Sequence, residues 1–359
     1  MTAPRAAATP IASDVVALDL DETGLLRHPD SGRLIEDDAE LPELLRQTLR
    51  VPDTATDLLV FVHGWMTPPE EALRRVQRLL ALTGDLWDGR GSRYGRLPGA
   101  LRLLPVALRW QSATRYREAR ARAGDATLQG QAAHVLAALL GYLDERRTPP
   151  RPDASLRLPG GQYLHCVGHS FGCRFLCQAL PEAGPAATAR RPEHVLAGPV
   201  HRDGRHPYTV DSVLLLQMAA PRRTLAHDGS YADLFGRAPV SGPVALTHTR
   251  HDRATGLWHL LAERRRGIGT AGLRTAAVDV HHTRLHAPER PYMDAELHHR
   301  LVAVNASRVY RGGFWTFPGA HSDLWHPETA HLLLSLMEQA REATRTGGLP
   351  ANAPDAGAT

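Results

Sequence analysis

The run LHCVGHSFGCRFL, Leu164–Leu176, sets one serine between two glycines, with an apolar stretch before it and a helix-like stretch after it. A strand that turns at once into a helix forces the corner residue into a strained conformation. Its neighbours must lack bulk so that the two chain segments can pass closely, and glycine supplies that room. Gly168-His169-Ser170-Phe171-Gly172 therefore reads as a Gly-x-Ser-x-Gly elbow that lifts the Ser170 hydroxyl clear of its backbone. The competing reading is a helix N-cap serine flanked by loop glycines. The strand-like and helix-like flanks favour the elbow.

Working outward, the same alternation recurs. Val15 to Leu20, Asp57 to Gly64, Leu101 to Trp110, Gln162 to Ser170, Asp211 to Ala219 and Pro243 to Asp252 are short runs rich in Val and Leu, the pattern of buried parallel strands. Pro68 to Leu82, Leu128 to Leu143 and Cys173 to Leu180 have helical period, and Leu128, Val135, Leu136, Leu139 and Leu143 form one apolar face. Strands and helices taken in turn predict an α/β chain with a mostly parallel central sheet and helices on both faces. Residues 1–50 read as an N-terminal extension packed on or joining the sheet, and 51–343 as the main domain. Within it, the Pro-, Gly- and Arg-rich excursion 181–207 is a candidate lid. The tail 344–359 has almost no large apolar residues and is expected to be disordered.

A serine hydroxyl is a weak nucleophile and needs a base, which in turn needs an orienting acid. In a parallel sheet both come from loops at the carboxyl ends of later strands. Asp252 directly follows PVALTHTRH at such an end. Asp211 stands at the start of its strand, the wrong end. Asp228 and Asp233 are loop reserves, and Asp279 within AAVDV ranks last. Of the histidines after Asp252, His321 is preferred, because PGAHSDLW is a glycine-containing loop leading into the Pro-opened helical run HPETAHLLLSLMEQA. An oxyanion would need two backbone N–H donors. Phe171, after the nucleophile, supplies one, and Trp65, after His63-Gly64, the other, with Met66 as its alternative. His63 precedes the nucleophile in a different loop and reads as structural. His169, Met66 and Tyr116 are candidate substrate contacts, while Arg117 and Arg174 could meet an acidic group on a substrate or serve as helix surface.

Composition narrows the remaining choices. Hydrophobic residues at 43% and charged residues at 22% describe an ordinary globular chain, and the formal net charge of +4 over 359 residues argues against a nucleic-acid partner. Every positive side chain is arginine, which removes Schiff-base lysines and the Walker lysine. Cys166, Cys173 and Cys177 cluster at the elbow and read as reduced core residues. No run approaches the roughly 18 consecutive apolar residues of a membrane span, and the first residues lack a secretory apolar region, so a cytoplasmic location is expected. Adjacent His281-His282 and His298-His299 point in different directions on regular structure, so no metal site and no cofactor is expected.

FVHGW, RWQSATRYREAR, HSFGCR, HTRHD and GAHSD, in that order between Asp57 and Ala340, resemble the α/β-hydrolase superfamily. The closest likeness is to a bacterial α/β-hydrolase family of unknown function with a His-Ser-x-Gly-x-Arg elbow. The resemblance implies Ser170 as nucleophile, Asp252 as acid and His321 as base. The family likeness brings no settled substrate; the ordered elbow, acid and base themselves point to a serine hydrolase attacking an ester, thioester or amide carbonyl of a small-molecule acyl substrate. Acyl transfer through the same triad and an inactive binding protein are the alternatives. The first 50 residues have no counterpart in that family. DVVALDLDET, Asp14 to Thr23, resembles instead the Asp-x-Asp-x-Thr strand end of haloacid-dehalogenase phosphatases, with Asp19 as the would-be nucleophile. Only about 35 residues separate it from DLLVFVHG, too few for that fold's own basic and acidic partners.

Overall fold

Asp57–Val62 (β2) shows how the sheet is built. All six residues are buried, but they divide by parity: Leu58, Val60 and Val62 join one apolar cluster, and Leu59 and Phe61 join another. Side chains alternate across a strand, so a run that is apolar at every position must be covered on both faces. The computed structural model describes residues 11–12, 14–37, 39–90, 93–128, 131–147, 161–182, 209–235, 240–312, 319–346 and 349. They form an α/β fold around one eight-stranded, all-parallel sheet.

The strands are β1 (Val16–Asp19), β2, β3 (Leu103–Arg109), β4 (Tyr163–His169), β5 (Ser212–Leu216), β6 (Val244–His248), β7 (Val280–Arg284) and β8 (Leu301–Asn305), in spatial order β1-β3-β2-β4-β5-β6-β8-β7. The chain steps outward from β2 to β3 and then returns to lay β4 on the other side of β2. That reversal makes a topological switch point at the carboxyl ends of β2 and β4, the position at which open parallel sheets bind ligands. β1 pairs with β3, so the N-terminal segment contributes the sheet's edge strand. β7 and β8 lie beyond the six strand-like runs of the sequence.

Helices α1 (Glu40–Thr48), α3 (Tyr116–Leu128), α4 (Gln131–Arg146) and α5 (Phe171–Glu182) lie on the face of Val60. Helices α2 (Pro69–Arg90) and α9 (Pro327–Thr346) share the face of Phe61. Three short helices, α6 (His259–Glu263), α7 (Ile268–Ala271) and α8 (Asp294–Leu297), sit between β6 and β8. α9 runs through Thr346, past the expected boundary at 343. Its last turn is held by Arg345 on Glu342 and by the Thr344 and Thr346 hydroxyls, which donate to the Ala340 and Glu342 carbonyls. The rest of the candidate tail, apart from Leu349, and all of the candidate lid beyond Glu182 lie outside the described residues.

The amino end of the sheet is held by buried charges. Asp57 accepts both guanidinium nitrogens of Arg341 at 2.9 Å and the His165 Nε2–H at 2.9 Å. Burial pushes its carboxyl pKa up, but Arg341 and His165 outweigh that and hold it well below the usual range. Asp211, also at this end, accepts from Arg147 at 2.5 Å and from the Leu164 N–H at 2.7 Å. Such pairs lock α9 and α4 to the sheet. Removing one partner of a buried pair typically costs about 3–5 kcal/mol. Cys166, Cys173 and Cys177 are buried free thiols. Among the described residues no helix is long and apolar enough to cross a membrane.

Candidate active site

Ser170 follows β4 and opens α5, and its φ of +57° lies in the left-handed region that a serine occupies only under constraint. The constraints are visible. The Ser170 N–H donates to the Leu216 carbonyl at 2.9 Å, and its own carbonyl accepts from Ala219 N–H at 3.3 Å and Cys173 N–H at 3.2 Å. A Cβ on Gly172 would lie 2.1 Å from the Val62 carbonyl oxygen, and one on Gly168 would lie 2.9 Å from the Cys173 nitrogen. Both glycines of the elbow are thus required by close backbone approach.

The imidazole of His321 meets this hydroxyl. Its Nε2 stands 2.7 Å from Ser170 Oγ, and its Nδ1–H donates to Asp252 Oδ2 at 2.8 Å. With the proton of the neutral ring on Nδ1, Nε2 is free to accept from the serine. The other carboxylate oxygen, Oδ1, accepts the Thr255 N–H at 2.8 Å. Asp252, 1% exposed, sits in a turn built by Thr249: the Asp252 N–H donates to the Thr249 carbonyl at 3.1 Å, while the Thr249 hydroxyl holds the Tyr310 carbonyl at 2.8 Å. The loops of Asp252 and His321 are joined directly, because Asp252 and Gly319 form a β-bridge and Ala320 N–H donates to the His251 carbonyl at 3.1 Å. Gly319 has φ +69°, and a Cβ there would strike that same carbonyl at 2.8 Å. Asp323 closes the far end of the base loop by accepting the Arg311 and Gly312 N–H groups.

The loop after β2 packs against Ser170 itself, since a Cβ on Gly64 would lie 2.7 Å from Ser170 Cβ. Trp110 and Ser112 hold this loop. Trp110 Nε1 donates to the His63 carbonyl at 2.8 Å, and Trp110 N–H donates to His63 Nε2 at 3.1 Å. The Ser112 hydroxyl donates to the Thr67 carbonyl at 3.1 Å. Burial drives the His63 pKa down to about 4, so the ring is neutral and serves the loop's architecture. Met66 N–H is committed to the Ser112 carbonyl at 3.2 Å, which removes it as the alternative oxyanion donor. The N–H groups of Trp65 and Phe171 have no acceptor among the described residues.

The three candidate substrate contacts, His169, Met66 and Tyr116, differ in how much of each is taken up within the fold. His169 is 2% exposed, and its Nε2–H donates to the His321 carbonyl at 3.1 Å, so it holds the loop of His321. Burial, followed by the neighbouring His321, pushes its pKa well below the ordinary value. The Met66 side chain is exposed and carries φ +52°. Tyr116 lines the apolar wall, its ring 5.3 Å from those of Trp65 and Phe171, but its hydroxyl is taken by Glu263 at 2.9 Å. Arg174, weighed above as a partner for an acidic substrate group, is buried. Its guanidinium lies 5.0 Å over the Phe171 ring, bonds to the Ala219 carbonyl, pairs with Glu263 at 2.5 Å and approaches His259 Nε2 at 3.1 Å.

The residues set aside are elsewhere. Asp228 pairs with Arg223 at the surface, and Asp279 is exposed at the start of β7. Asp19 pairs with Arg109 at 2.5 Å, and Asp21 Oδ1 caps the turn through Thr23 and Leu25, so both aspartates of the Asp-x-Asp pair have structural partners. A cavity of about 300 Å³, lined by Tyr94, Tyr292, His331 and Glu338 among others, holds none of Ser170, Asp252 or His321. Glu263 and His259 were not legible as site neighbours; their i,i+4 spacing matches an ordinary helix surface.

No protein-family model matches this chain, and no curated protein matches it either.

Proposed function

We propose that the chain is a serine hydrolase of the α/β-hydrolase fold that cleaves a carboxylic ester, thioester or related acyl bond through an acyl-enzyme on Ser170. The observation that carries this reading is the continuous relay from Ser170 Oγ to His321 Nε2 at 2.7 Å and from His321 Nδ1 to Asp252 at 2.8 Å. Chain order and placement support it as well: nucleophile after β4, acid after β6 and base after β8, all at the carboxyl end of a parallel sheet.

In this mechanism the Ser170 proton passes to His321 Nε2 as Oγ bonds to the acyl carbon. The carbonyl oxygen takes the electron pair and is held by the Phe171 and Trp65 N–H groups. Loss of one such donor typically costs about 3 kcal/mol of transition-state stabilisation. The imidazolium, stabilised by Asp252, then gives its proton to the departing alcohol or thiol as the acyl–heteroatom bond breaks. Water repeats the sequence, releasing the acid and restoring Ser170. A fluorophosphonate probe tests the assignment. Labelling of the native protein and its loss in Ser170→Ala are expected, and labelling that persists in Ser170→Ala overturns the reading.

A further inference from the structure

The segment that follows the acid is turned inside out. Thr255, His259 and Glu263 recur every fourth residue and face inward: Thr255 and His259 are each 1% exposed, and the Glu263 side chain is 5% exposed against Arg174. Leu257, Leu260 and Leu261 occupy the opposite side, at 56%, 39% and 68% exposure. Helices on globular proteins ordinarily do the reverse. A lone exposed leucine needs no explanation, but three at helical spacing make a patch, and patches mark interaction surfaces.

Charge identifies the partner. The segment's one acid, Glu263, is consumed by Arg174 and Tyr116 within the fold. The next three residues, Arg264, Arg265 and Arg266, are all exposed, and none has an ion-pair partner among the described residues. Leucines beside a row of unneutralised arginines suit a surface that is apolar beneath and anionic on top. A second copy of the chain docking face to face would oppose arginines with arginines, which disfavours that occupant.

We propose that Leu257–Arg266 is a docking face for an anionic phospholipid surface, with the three leucines inserted among the acyl chains and the arginines set at the headgroups. The face adjoins the active site through Thr255 on Asp252 and through Glu263 and Arg174 on Phe171. It therefore delivers surface-borne amphiphilic acyl substrates, a consequence that rests on the hydrolase reading while the docking itself does not.

The test is co-sedimentation of the full-length Ser170→Ala protein with vesicles of mixed phosphatidylglycerol and phosphatidylcholine, against vesicles of phosphatidylcholine alone. Binding to the anionic vesicles only is expected. Arg264→Gln/Arg265→Gln/Arg266→Gln should weaken it roughly a hundredfold, at about 1 kcal/mol per arginine. Leu257→Ser/Leu261→Ser should also release the protein, with both variants keeping the native melting temperature. The proposal is overturned by absence of binding to anionic vesicles, or by binding that neither variant weakens. A protein that ignores vesicles but forms a dimer dissolved by the leucine variant overturns it too and assigns the face to a second copy. Fluorophosphonate labelling that persists in Ser170→Ala would remove the hydrolase reading and leave the sedimentation result standing.

Discussion

His169 Nε2 donates to the main-chain carbonyl of His321 across 3.1 Å, so the residue before Ser170 holds the loop that carries the His321 imidazole. The two rings lie 5.2 Å apart, and the burial that keeps His169 neutral also prevents a second positive charge beside the imidazolium of the proposed mechanism. His169→Ala removes the tether without touching the reacting atoms. Steady-state kinetics on a soluble ester should show kcat falling about tenfold to a hundredfold, as for loss of orientation, with KM little changed. His169→Gln, which can still donate, should recover part of the loss. A KM effect with kcat intact would instead make His169 a substrate contact.

Backbone strain at Ser170 predicts a trade between stability and activity. A non-glycine residue at φ +57° costs on the order of 1–3 kcal/mol. Ser170→Ala keeps that strain and Ser170→Gly relieves it, while both abolish the nucleophile. In urea unfolding, Ser170→Gly should therefore be more stable than Ser170→Ala by about 1 kcal/mol. Equal midpoints would mean that the elbow is not strained.

Arg174 and Glu263 predict a strong coupling. Both side chains are buried, and Glu263 also receives the Tyr116 hydroxyl. Arg174→Met leaves a buried carboxylate without its main partner and should cost about 3 kcal/mol of stability. Adding Glu263→Gln removes the orphaned charge and should restore much of that loss. A double-mutant cycle without coupling would show that the pair contributes nothing as a unit.

These residues also mark where the sequence is readable. β2 to β6 are legible because a buried parallel strand is apolar at nearly every position, β1 because three of its four residues are apolar although it lies at an edge, and the elbow because two glycines at that spacing answer a backbone clash. β7 reads VHHTR, largely polar, because it is an edge strand with only β8 as a neighbour, and so it carries no such signal. β8, LVAVN, is apolar but only five residues long and stands in a histidine-rich stretch. Asp252 is legible from its place at the end of a strand-like run, and His321 from a glycine-containing loop that leads into the last helical run. The roles of Arg174, His259 and Glu263 are different, for they depend on α6 folding its polar side inward, and periodicity cannot say which side faces the core. Trp110 and Ser112 carry a motif whose purpose, clamping the loop of His63 to Thr67, appears only in three dimensions.

The buried His63 ties stability to pH. Its folded pKa is depressed to about 4, whereas the unfolded chain titrates near the ordinary imidazole value of about 6.5. Between those values the unfolded state binds a proton that the folded state refuses, so stability is fully present above the unfolded value and declines as pH falls toward 4. The displacement corresponds to a loss on the order of 3 kcal/mol across that window. His63→Asn exchanges the ring for a group that does not titrate there. Chemical unfolding of both proteins at a series of pH values between about 7 and 4 should give a shallower decline for the variant. Parallel declines would mean that His63 takes up its proton in the folded protein, contrary to its burial against Trp110.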